Sequence, residues 1–391
     1  MLIDKSITRS RTLQFGMKVR ELKQQGREVI SLGMGEPDFE TPEHIKQAAK
    51  DALDAGLTRY SHAMGLPELR ELIADKLQNE NGIAAKTEQI VVTPGAKNAL
   101  FISCAAVLQP GDEVINFNPC YVSTYPILKL AEPQAIIHNV PMIPEKFTID
   151  KNKVRSLIND KTKLIMINYP NNPLGTMIGD DEVNFLLEII QEYDINLLSD
   201  EIYEKVTFGQ TKHISLGALT DIQDKVITVN GFSKAYSMTG WRIGYVHANA
   251  ELTSTMIIIN DHLNMNTAAF IQKGAVAALT GPQDHLIDFI EALKKRKAAY
   301  DSLLQGNEYL TGSSPEGGFF GFINISQSGL NSDDFTTQLL DETGVCLIPG
   351  VSFGQEFDHY CRVSLVNQTE VVEEGLKRIG DFITKRVEAD G

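Results

Sequence analysis

The stretch 230–245, NGFSKAYSMTGWRIGY, decides the reading of this chain. It follows the apolar run 226–230 (VITVN) and leads into a second such run at 243–247 (IGYVH). Both runs read as short buried strands. The loop between them carries Lys234 just past the first strand and Arg242 eight residues further on. A lysine in a walled pocket forms an imine with an aldehyde. An arginine grips a phosphate with a planar fork of donors.

Working outward, two more segments end apolar runs with polar groups: 199–203 (SDEIY) and 168–175 (NYPNNPLG). Asp200, Asn172 and Lys234 all fall just after predicted strands, and open α/β sheets bind ligands beyond the carboxyl ends of their strands. An aldehyde-seeking lysine with a phosphate-seeking arginine suggests pyridoxal 5'-phosphate (PLP), and these two segments supply the other groups that cofactor needs.

Further out, residues 89–93, 113–117, 163–168 and 196–199 also read as short buried strands. Helical spacing appears at 43–54, 67–79, 96–108, 181–193 and 250–260, with Pro67 at a first-turn position. Strand–helix alternation with near-continuous apolar strands predicts a parallel sheet covered on both faces. From about residue 286 the pattern changes to a charged helix, a Gly/Phe-rich run at 317–323 (GGFFGFI) and a closing helix. The expected division is a large domain over 46–285 and a small α+β domain over 286–391. Residues 1–45 join the small domain through the turn-rich crossing 31–39 (SLGMGEPDF).

The chain has 391 residues and a net charge of −15. That is too long for one ordinary core and too acidic for nucleic acid or an anionic membrane surface. The four cysteines, Cys104, Cys120, Cys346 and Cys361, form no C-x-x-C pair, so no metal site is expected. They read as reduced thiols of a cytoplasmic protein. The first 23 residues lack an apolar targeting core, and no uncharged run approaches a membrane span.

Each candidate has a bland reading when taken alone. Most lysines and arginines are solvated surface charges, an aspartate after a strand often caps the next helix, and Tyr203 would serve as core packing. Together and in order, these segments resemble the class-I/II aminotransferases of PLP fold type I, in particular the aspartate-aminotransferase-like branch. The matching segments are 31–39, 59–70, 93–99, 110–125, 168–175, 199–203, 231–245, 315–320 and 360–364. The resemblance implies a mostly parallel seven-stranded sheet sandwiched by helices plus a smaller α+β domain.

It also implies roles. Lys234 would hold PLP covalently and move a proton at the substrate Cα. Asp200 would face the pyridine nitrogen and keep the ring protonated. Tyr203 and Asn172 would bond the ring hydroxyl, and Tyr121 would stack on the ring. Arg242 and the backbone N–H groups of Gly95, Ala96 and Lys97, at a helix start, would hold the phosphate. Tyr60 would reach the neighbouring subunit's cofactor in a homodimer. Arg362 would clamp the substrate α-carboxylate, touched also by the Gly35 backbone, with Tyr121 and Asn172 beside it.

Four departures stand out. Gly231 occupies the place of a common phosphate-contacting serine, Leu174 that of a threonine, Tyr121 that of a tryptophan, and His62 that of a proline or threonine. The implied activity is exchange of an amino group between an amino acid and a 2-oxo acid. The alternatives are a PLP-dependent carbon–sulfur lyase or another reaction at Cα or Cβ on the same scaffold, and a binding or regulatory protein that keeps the fold. For an acidic substrate a second cation is required, and Arg59, Lys97 and His62 are the candidates. Phe15, Phe319, Phe320 and Tyr121 are candidates to line an apolar pocket, and the expectation leans to a neutral donor.

Overall fold

The computed structural model describes residues 7–144 and 146–390. The first six residues, part of the amino-terminal reading, lie outside the described residues.

Seven strands form the main sheet. In spatial order they are Ile90–Thr93, Gly244–His247, Val226–Gly231, Asn196–Asp200, Thr162–Asn168, Glu113–Asn118 and Ile136–Pro141. Only Gly244–His247 runs against both neighbours; the others are parallel. Parallel pairing needs long crossovers, and helices such as Ala96–Val107, Asp180–Tyr193 and Ala250–Asn264 supply or flank them. The central strands are buried along their length, which is why they read as continuous apolar runs. Val91, Val114, Leu164, Leu198 and Ile227 pack on one face with Ala99 and Ile102 of the helix Ala96–Val107.

The strand Ile136–Pro141 was not anticipated. It is an edge strand paired only with Glu113–Asn118, and most of its residues are exposed or half-buried. It therefore lacks the apolar run that marks its neighbours.

The strand order reverses between Glu113–Asn118 and Thr162–Asn168, because the chain crosses from one side of the first to the other after visiting Ile136–Pro141. A crevice opens at the carboxyl edge of such a reversal. The single reversed strand has a second consequence. Residues 232–243 connect the carboxyl end of Val226–Gly231 to the amino end of Gly244–His247, so they stay at that same edge. Gly244 makes this return possible: a Cβ there would lie 2.5 Å from the Ala96 nitrogen.

A second sheet of four strands, Ile348–Pro349, Tyr360–Ser364, Phe320–Asn324 and Thr311–Gly312, is antiparallel. The amino-terminal segment meets it: Ile30–Ser31 pairs in parallel with Val345–Cys346, and Ser364 N–H donates to the Leu32 carbonyl at 2.7 Å. Tyr300, Phe319, Phe335 and Val363 fill the core beside this sheet. No helix among the described residues is long and apolar enough to cross a membrane.

Candidate active site

The strand ends deliver their side chains to one cavity of about 400 Å³. Asp200 is the last residue of its strand and only 8% exposed. Its Oδ1 accepts from the Ile202 N–H at 3.2 Å. Its carbonyl accepts from Asn168 Nδ2 at 2.9 Å, and Asn168 Oδ1 in turn accepts from the Asn172 N–H at 2.9 Å. Neighbouring strand ends are thus tied to each other. Burial, reinforced by the Glu201 charge, pushes the Asp200 carboxyl up to about 7.

Lys234 sits in the 232–243 connection, and its Nζ donates to the Gly35 carbonyl at 2.5 Å. Burial, with help from the charges of Arg362 and Arg242, brings its ammonium down to about 8. The aromatic rings of Tyr203 and Phe319 flank it at 5.8 and 5.5 Å.

Arg242 has φ 54°, a left-handed conformation that turns the chain between the connection and the next strand. Its Nη1 donates to the Thr239 carbonyl at 2.9 Å. The guanidinium lies directly against Gly95, which has φ 87° and no room for a Cβ on that side. Gly95 precedes the helix Ala96–Val107, whose first N–H groups, lacking intrahelical acceptors, and dipole make its start attractive to anions.

Arg362 comes from the second sheet. It is 3% exposed, with its guanidinium carbon 4.1 Å from the Phe320 ring centroid and 5.0 Å from that of Phe353. Nη1 donates to Asn172 Oδ1 at 2.9 Å and Nη2 to the Gly33 carbonyl at 2.7 Å. Nε is buried with no partner among the described residues. Burial lowers this guanidinium to about 10.

Of the residues singled out in the sequence, Gly35, Ala96, Lys97, Tyr121, Asn172, Asp200, Tyr203, Lys234, Arg242 and Arg362 all line the cavity. Gly95 stands behind Arg242. Tyr60 is elsewhere, 83% exposed on a surface hollow shared with Leu57, Arg59 and Phe270. His62 and Arg59 do not line the cavity; His62 Nδ1 accepts from the Met64 N–H at 3.1 Å, a loop-ordering bond. The lining sets Lys97, Lys234, Arg242 and Arg362 against one carboxyl of its own, Asp200, with Glu36 also acting on Lys234, so a chain of net charge −15 holds a cationic cleft.

The cavity also includes Asn168, Thr239, Phe320 and, from the helix Arg11–Gln24, Thr12 and Leu13. Asn168 was legible as the polar end of an apolar strand. Phe15 is the residue of this helix that the sequence offered for the pocket; it packs instead against the Val19 and Leu22 cluster, and Thr12 and Leu13 are the ones that reach the cleft.

A family model described as aminotransferase class I and II matches residues 27–379. The chain belongs to that family. An aspartate aminotransferase of Bacillus subtilis (strain 168) is 37% identical over 97% of this chain and 98% of its own. The Thermus thermophilus aspartate aminotransferase solved with maleate superimposes with a TM-score of 0.91 at 33% identity, covering 96% and 97% of the two chains. The aromatic aminotransferase of Pyrococcus horikoshii OT3 gives 0.88 at 34% identity, covering 94% and 99%. This aminotransferase exchanges an amino group between an amino acid and a 2-oxo acid. The lyase and binding-protein alternatives give way to that assignment. The α/β fold with its seven-stranded, mostly parallel sheet is as expected.

Proposed function

We propose that this aminotransferase works with PLP bound covalently to Lys234. The observation that carries the reading is the convergence of half-buried Lys234 with buried Asp200 and Arg362 on one cavity. The residues fit the cofactor. Asp200 is a buried carboxyl that accepts only a backbone N–H among the described residues, suited to a pyridinium nitrogen. Gly95 brings bare backbone against Arg242 at a helix start, suited to a phosphate held also by the N–H groups of Gly95, Ala96 and Lys97. Asn172 and Tyr203 would bond a ring hydroxyl and Tyr121 would stack on a ring face; all three line the cavity. Bound PLP supplies an electron-withdrawing ring that stabilises negative charge at the substrate Cα.

The chain's own groups do the rest. Arg362 holds the substrate α-carboxylate, with the Gly35 backbone beside it. Phe320 and Phe353 confine the planar guanidinium and shield it from water, which strengthens the pairing. Lys234 takes the proton from the substrate Cα. With its ammonium near 8, a usable fraction is neutral at physiological pH. Both the amino acid and the 2-oxo acid carry an α-carboxylate, so one site serves both by a ping-pong mechanism.

We read the donor as dicarboxylic. Lys97 is the one of the three candidate cations that lines the cavity, its Nζ 5.7 Å from the Tyr121 ring centroid. The aspartate aminotransferases among the relatives support the same reading, which replaces the neutral-donor expectation.

We further take residues 46–285 as a large domain and 1–45 with 286–391 as a small one. Arg362 then lies on the small domain, so carboxylate binding draws it over the cleft. We read the enzyme as a cytoplasmic homodimer in which Tyr60 reaches the partner's site; its exposure on an apolar surface beside Leu57 and Phe270 supports this, and the four free thiols suit a reducing compartment. Initial rates test the reading: parallel double-reciprocal lines and a spectral change on adding amino donor alone are expected. Failure of every donor to change the spectrum of the PLP-loaded protein contradicts it.

A further inference from the structure

Behind the cleft floor lies a second constellation that the mechanism above does not use. In the segment 200–204, Asp200 and Tyr203 line the cavity, while Glu201 and Glu204 point the other way into a buried polar cluster. Glu201 is 0% exposed. Its Oε1 accepts from Ser199 Oγ at 2.9 Å; its Oε2 accepts from Ser215 Oγ at 2.6 Å and meets His213 Nε2 at 3.0 Å. Glu204 is bound by the Lys76 ammonium and by Asn81 Nδ2. Asn81 Nδ2 also donates to Ser215 Oγ at 2.6 Å, joining the two carboxylates through one hydroxyl. Ligand atoms of Glu201, Glu204 and His213 lie within 4.8 Å of one another. Lys76 already supplies the cation for Glu204, and hydrogen-bond donors cover Glu201, so the cluster is an ionic lock rather than a metal cage.

A buried carboxylate persists only when it is fully bonded. This one is bonded on both oxygens, one residue from Asp200 and two from Tyr203. Its backbone is fixed as well: Glu201 N–H donates to the Val229 carbonyl at 2.9 Å, and its carbonyl accepts from the Glu204 N–H at 2.9 Å. The charged and titratable groups around it are Asp200, Glu204, His213 and Lys76, with Tyr245 also within its field and the Lys205–Glu80 pair beyond.

We propose that Glu201 is a positioning residue for Asp200 and Tyr203. Its clasped carboxylate pins the turn that carries both, and its charge adds to the burial that opposes ionisation of Asp200. This rests on the reading of Asp200 as the partner of the PLP pyridine nitrogen. Nothing in that reading requires a charge at position 201.

The test is PLP binding to the full chain as a function of pH, followed by quenching of the single tryptophan, Trp241, which adjoins Arg242. In the natural protein, affinity rises as Asp200 ionises. Glu201→Gln keeps the shape and removes the charge. It is expected to move the midpoint of that rise to lower pH, by on the order of one unit. On the alkaline plateau it is expected to weaken PLP by roughly ten-fold, the size of effect that losing a supporting hydrogen-bond partner has at ligand-holding sites. Glu201→Asp keeps the charge and is expected to restore the midpoint. A midpoint unmoved in Glu201→Gln, even with a lower melting temperature, overturns the proposal and leaves Glu201 a packing residue.

If Glu201→Gln does not fold, His213→Ala carries the test. It removes one of the three side chains that clasp the Glu201 carboxylate while Ser199 and Ser215 stay, and the midpoint is expected to move; an unmoved midpoint overturns the proposal. Asp200→Asn separates the two levels. The comparison is made in the Lys234→Ala background, where imine formation at the lysine no longer titrates; if Asp200→Asn leaves the pH dependence intact there, the reading of Asp200 itself fails. If it abolishes the dependence while Glu201→Gln behaves as the natural protein, only this inference fails.

Discussion

Arg362 and Asn172, 190 residues apart in sequence, are joined by a buried hydrogen bond of 2.9 Å from Nη1 to Oδ1. One stands on the four-stranded antiparallel sheet, the other just past a central strand of the parallel sheet. The bond couples the group assigned to the substrate carboxylate to the group assigned to the cofactor ring. It also fixes the plane of the guanidinium, which two aromatic rings already confine.

Arg362→Lys keeps a charge but loses the planar fork. We expect kcat/KM for every amino donor to fall by at least roughly 10²-fold, the scale of breaking a buried charge-assisted pair. The visible spectrum of the PLP-loaded protein should stay unchanged. Steady-state rates beside a spectrum check this, and equal losses in PLP affinity would assign Arg362 to the cofactor instead.

Lys97→Met removes the second cation of the cleft. Activity toward a dicarboxylic donor should drop by roughly 10- to 100-fold, while a neutral donor of similar size is nearly unaffected. A donor panel on both proteins decides; uniform loss would mean that Lys97 supports the phosphate end through its backbone neighbours.

Much of this site could be read from the chain. Lys234, Asp200 and Asn172 each follow a short apolar strand, and a strand end is a local signal. Arg362 has no such signal: its place opposite Asn172 depends on the second sheet folding back, and only the resemblance pointed to it. The reversed direction of Gly244–His247 was equally invisible, since a buried strand looks the same in either direction. Glu201 was quoted with its neighbours yet carried no assigned role, because of the groups that hold it only Ser199 is on the strand that leads into it, while His213 and Ser215 come from a loop whose path the sequence does not reveal.

Gly95→Ala should be costly out of proportion to its size. The position has φ 87° and its Cβ would strike the Arg242 guanidinium. We expect a loss of about 1–3 kcal/mol in stability, read from urea unfolding, together with weaker PLP binding. Substitution at Gly26, which has the same backbone sign but nothing within 4 Å, should leave PLP binding alone.

Asp200 makes a signed prediction for the cofactor-free protein. Its carboxyl sits near 7 when folded and near 3.8 when not. The folded state therefore binds more protons between these values, and this group's contribution to stability is present below about pH 4 and lost as pH rises through 7. Asp200→Asn removes that loss. The variant should gain on the natural protein between pH 5 and pH 8, by at most about 3 kcal/mol, measured by urea unfolding at both pH values. A constant difference across that range contradicts the assignment.

The most direct measurement concerns the Lys234 amine. The PLP-loaded protein is reduced with borohydride, digested, and its peptides mapped by mass. The account predicts one pyridoxyl-bearing peptide, with the label on Lys234, and none in Lys234→Ala. A label on another lysine, or no label at all, contradicts it.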